Sequence, residues 1–75
     1  MISAEVWEQF LKQAKADKRY NIGHADKYIE IFVIDPKITV HMVELMVRDM
    51  LGPEAQVEIP AGLKHTLHVK TPDFG

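Results

Sequence analysis

The sequence predicts a small two-layer α+β domain in the order α-β-α-β-β, a three-stranded mixed sheet covered by two helices. Two stretches, 4–20 and 40–51, carry apolar residues at helical spacing, and a β-branched and aromatic run at 28–34 lies between them. Two alternating segments then flank the turn residues Pro60-Ala61-Gly62. A chain of 75 residues has room for one core, so residues 1–75 are read as one domain, with 71–75 expected to fray.

The first helix is expected to open at Ala4, because Ser3 is an N-cap residue and Ile2 and Trp7 have hydrophobic-staple spacing. At about 100° per residue, Val6, Trp7, Phe10, Leu11 and Ala14 share one side, and Glu5, Glu8, Lys12, Lys15 and Arg19 the other. Acidic residues early and Lys15, Lys18 and Arg19 late suit the helix dipole, and Asn21-Ile22-Gly23 suggests an end near Tyr20. His24-Ala25-Asp26 completes a polar connection.

Residues 28–34 are apolar apart from Glu30 and are expected to form the central strand, closed by Asp35-Pro36. Asp35 or Thr39 caps the second helix, Val40 to Leu51, which Gly52-Pro53 ends. Segments 55–59 and 65–70 alternate as a hairpin with Val57, Ile59, Leu67 and Val69 inward. That parity places His65 inside and Thr66, His68 and Lys70 outside. The strand-helix-strand unit is expected to be parallel, with the last strand returning antiparallel.

Composition excludes several function classes. Hydrophobic residues are 47% and charged residues 27%, a globular balance. The absence of cysteine removes disulfides, thiolate metal sites and a cysteine nucleophile. A net charge of −2 neither steers a polyanion nor mimics one. No segment approaches the roughly 20 apolar residues of a membrane span, and no basic stretch precedes an apolar run at the N-terminus. The expected location is the cytoplasm, and a domain this small is expected to gain stability as a homodimer.

Four candidate features remain. His41 and Glu44 are spaced i,i+3 and could bite one ion, but His65 and His68 point to opposite faces of a strand, so no metal or other cofactor is expected. Glu30 is a carboxylate in an apolar run, a candidate acid or base if it were desolvated, with His65 or His24 as the histidine able to approach. Lys12, Lys15, Lys18, Arg19 and Lys27 could contact phosphates, with Tyr28 and Phe32 stacking bases, but Glu8, Asp17, Asp26 and Glu30 dilute that patch and disfavour nucleic acid.

The fourth feature is the second helix, whose apolar arc covers nearly half its circumference. Met42, Met46 and Met50 form one i,i+4 row, Val43 and Val47 a second, with Leu45 at the margin of the wet strip His41, Glu44 and Arg48. A two-layer domain needs only about 100° of apolar face, so the surplus must meet helix one or another subunit. Methionine is flexible and polarizable and suits an adaptable surface. The expected function is a non-catalytic protein-interaction module, binding itself or, as adaptor or inhibitor, a larger protein. The partner-binding residues are Met42, Leu45, Met46 and Met50, with an open sheet edge as a second contact. The alternatives are an oligomeric enzyme using Glu30 with a histidine, and a weak nucleic-acid binder through the basic strip.

Overall fold

Ser3 holds extended backbone (φ −79°, ψ 157°), and its hydroxyl accepts the Val6 N–H at 3.1 Å, so the helix starts at the next residue. The computed structural model describes residues 2–74, and its first helix, α1, spans Ala4–Ala16. It buries Trp7, Phe10 and Ala14, while Ile2 and Leu11 pack half-buried at the core margin.

The helix stops short of the expected Tyr20 because Asp17 competes with it. The Asp17 carboxylate accepts the Arg19 backbone N–H at 2.9 Å and the Arg19 guanidinium, an Asx turn in place of another helical turn. The residues read as a polar connection instead begin a strand, β1, Tyr20–His24. Its Tyr20 and Ile22 face inward, and Asn21 and Gly23, which resemble helix-ending residues, face out. A tight connection, closed by the Ala25 N–H on the Tyr28 carbonyl at 2.9 Å, leads into β2, Tyr28–Val33.

The second helix, α2, is Val40–Leu51 as the sequence predicts. Of its two possible caps Thr39 is the one used, accepting the Met42 N–H at 3.2 Å, while Asp35 accepts the Lys37 N–H at 2.8 Å in the preceding turn. Gly52, at φ 92° and ψ 173°, ends the helix in backbone that only glycine adopts readily. Two strands follow, β3 (Val57–Glu58) and β4 (Thr66–Lys70). Between them the Leu63 N–H reaches the Pro60 carbonyl at 3.2 Å with Gly62 at φ 84°, the third-position glycine of a type II turn.

The sheet has four strands in the order β1-β2-β4-β3, every pair antiparallel, and not the three-stranded mixed sheet expected. β2 and β3 do run in the same direction across α2, but β4 lies between them, so no parallel pair forms. Of β3 and β4, the central place goes to the strand with the more apolar inner face. Leu67 and Val69 of β4 are fully buried, whereas β3 offers only a half-buried Val57.

Both helices cover the same face. Tyr20, Ile29, Ile31, Val33, Leu67 and Val69 meet Trp7, Phe10, Ala14, Val40, Val43, Val47 and Leu51 in one core. The register opposes Ile31 to Ile22 and Leu67, and Ile29 to Val69. The other face carries Asn21, Tyr28, Glu30, Phe32, Glu58, His68 and Lys70 under no layer. His65 has the inner parity expected, but at the entrance of β4 it is exposed, whereas Thr66, on the outer face, is buried. In the tail, the Thr71 N–H holds the Lys27 carbonyl at 3.0 Å and Phe74 is exposed. Gly75, the last of the residues expected to fray, lies outside the described residues.

Candidate functional site

The faces of α2 are set by what each row of side chains meets. Val40, Val43, Val47 and Leu51 are buried against the sheet. Met46 and Met50 turn toward α1: the Tyr20 hydroxyl donates to the Met46 sulfur at 3.6 Å, and Met50 lines a groove with Val6, Phe10 and Gln13. Both are half-buried against the core. Met42 and Leu45 are covered by neither layer, at 53% and 70% exposure.

Helix one therefore takes up part of the surplus apolar width. Of the four residues singled out by spacing, Met46 and Met50 join the intramolecular packing, and Met42 and Leu45 stay together in water, one turn apart. The polar strip beside them is internally satisfied. Glu44 pairs with Arg48 at 3.2 Å, and Arg48 donates to the Ala55 carbonyl at 2.8 Å, tying α2 to the approach of β3. At the N-terminal end of α2, Ile38, His41, Ile59 and the exposed Leu63 line an open depression of about 470 Å³.

The open sheet face carries a different constellation. Glu30 lies directly opposite His68 in the β2–β4 register, and His68 Nε2 is 3.1 Å from Glu30 Oε2. The Tyr28 ring packs on the imidazole with centroids 4.3 Å apart. These two rings, with Lys27, Arg48, Glu58 and Lys70, border a shallow concavity of about 600 Å³. The histidine that reaches Glu30 is thus His68, and not His24 or His65. His68 has outward parity in the sequence, but only the pairing of β4 with β2 brings it face to face with Glu30.

Chemically, this pair has little leverage. The Glu30 side chain is 46% exposed, so it lacks the low-dielectric pocket that general acid chemistry needs. Among the described residues no group of three histidine, aspartate or glutamate side chains converges on a metal position, and His41 stands 4.0 Å from Glu44 in an exposed place.

The basic strip of α1 is also altered by the fold. Arg19 leaves it, gripping Asp17 through Nε at 2.9 Å and lying over the Tyr20 ring at 5.2 Å. That hydrogen bond holds the Asp17 carboxyl below its usual range and raises Arg19 further above its own. Burial pushes the Tyr20 phenol up. Lys12, Lys15 and Lys18 remain as exposed cations.

No helix among the described residues is long and apolar enough to cross a membrane. No protein-family model, curated protein or solved structure matches the chain.

Proposed function

We propose that this chain is a small non-catalytic interaction module that binds another protein, or a second copy of itself, through the Met42–Leu45 side of α2. One observation carries the reading: on a helix whose other apolar residues are at least half-buried, Met42 and Leu45 keep 53% and 70% of their surface in water. Burying a leucine or methionine side chain contributes about 1.5–3 kcal/mol, so this pair gives association a driving force that folding leaves unused. A methionine beside a leucine also adapts to the shape opposite it. The Glu30–His68 pair is read as cross-strand surface chemistry, and the module needs no cofactor.

The test is the double variant Met42→Ser/Leu45→Ser, whose fold is expected to survive because neither residue holds the core together. Light scattering gives its mass beside that of the wild type, and both tagged chains are used to capture proteins from the native extract. The expected result is a self-complex or a captured protein that the variant loses. A wild type whose mass and captured proteins are the same as the variant's ends the proposal.

A further inference from the structure

The edge of the sheet at β1 is open, and two flanking bonds fix its hydrogen-bond phase. Ile34 donates to the Arg19 carbonyl at 2.9 Å, and Ala25 to the Tyr28 carbonyl at 2.9 Å. Bonded pairs alternate along an antiparallel ladder, so Asn21 and Gly23 exchange bonds with Phe32 and Glu30. Tyr20, Ile22 and His24 therefore aim their N–H and C=O groups away from the sheet. The Tyr20 N–H has a long local bond to the Asp17 carbonyl at 3.5 Å, and the remaining outward groups have no partner among the described residues.

Natural edges are guarded by lysine, proline, bulges or inward charges. β1, Tyr-Asn-Ile-Gly-His, contains no proline and no lysine, arginine, aspartate or glutamate, and its pairing with β2 runs without a bulge. The opposite edge, β3, is only two residues long.

We propose that β1 is the seam of a two-fold dimer, in which β1 of a second copy pairs antiparallel about Ile22 and joins two sheets into one. In this register Ile22 faces Ile22, and Tyr20 faces His24 in both directions, so every outward group meets an outward group. About six strand–strand hydrogen bonds result. Continued into the flanking turns, the register sets Lys18 against Asp26 of the second copy, twice. Centring the two-fold on Asn21 instead takes Lys18 away from Asp26, and centring it on Gly23 sets Arg19 against Lys27, two cations. Either shift also leaves one outward residue facing a turn. On the inner face, the half-buried Ile22 and the exposed His24 gain Ile22 and Tyr20 of the second copy as neighbours.

This seam is separate from the Met42–Leu45 side, since α1 packs on β1 and α2 on β4. Either surface can fail without the other.

Sedimentation of the wild-type chain in the analytical ultracentrifuge, with its amide exchange followed by NMR, over a range of concentrations is the test. A dimer is expected in which the Ile22 and His24 amides become protected as concentration rises, while Asn21 and Gly23, already bonded to β2, change little. Ile22→Pro removes one seam N–H from each copy without touching the β2 ladder, and should weaken the dimer roughly thirtyfold, the loss of two hydrogen bonds. Should that variant misfold, Asp26→Lys tests the same register at an exposed site. It should weaken the dimer by setting Lys18 against lysine, and Lys18→Asp added to it should restore the dimer. A monomer at every concentration overturns the proposal, as does a dimer whose Ile22 and His24 amides exchange at the free-chain rate. Met42→Ser/Leu45→Ser is expected to leave this dimer intact.

Discussion

The Tyr20 hydroxyl donates to the Met46 sulfur at 3.6 Å, joining the first residue of β1 to the middle of α2. The contact explains why the methionine row divides. Tyr20 is buried beneath α1 and α2, and Met46 packs over it, with Met50 following one turn later toward Phe10. Met42, one turn earlier, is past the reach of α1.

Most of the Tyr20 contribution should lie in its ring. Tyr20→Ala, which empties a buried aromatic site, is expected to cost about 3 kcal/mol in urea unfolding. Tyr20→Phe removes only a weak bond to sulfur and should cost under about 1 kcal/mol. Equal losses in the two variants would mean that the hydroxyl carries the contact.

The same residue sets an alkaline limit. Burial raises the Tyr20 phenol above its ordinary value of 10.0, because the fold disfavours the phenolate. A raised acid adds stability that is complete below the ordinary value and lost as pH rises through the shifted one. Wild type should thus lose stability relative to Tyr20→Phe only above about pH 10, as followed by urea unfolding at stepped pH.

Two glycines should respond in opposite ways to alanine. Gly52→Ala forces a side chain into backbone at φ 92° and ψ 173°, and should cost about 1–3 kcal/mol. Gly23→Ala meets only the Glu30 Cβ at 3.8 Å, an ordinary contact, and should be neutral or stabilising by up to about 1 kcal/mol. Thermal unfolding of the two variants separates these cases.

The Glu30–His68 pair should behave as a cross-strand surface pair. With Glu30 half in water, a double-mutant cycle to alanine is expected to give a coupling of about 0.2–1 kcal/mol. A coupling above about 2 kcal/mol would point to a desolvated pair and favour the acid–base reading instead.

Local chemistry was legible wherever one stretch of chain decided it. Ser3 and Gly52 mark helix ends through bonds and dihedrals within a few residues, and α2 appears with the expected bounds. The exposure of Leu45 also follows from its place at the margin of the apolar arc. β1 was missed because Asn21 and Gly23 have the chemistry of a helix end, while only two inward residues, Tyr20 and Ile22, mark the strand. The Asp17–Arg19 turn was its one local clue.

By itself, then, the sequence determined the two helices, the α+β class, and the outward parity of His68, since backbone periodicity and capping act over a turn or two of chain. Only the tertiary structure decided that β4 enters between β2 and β3, that His68 is the partner of Glu30, and that Met46 and Met50 are covered while Met42 and Leu45 are not. Those outcomes depend on which apolar faces meet across the sheet, a competition between segments tens of residues apart that no local pattern encodes.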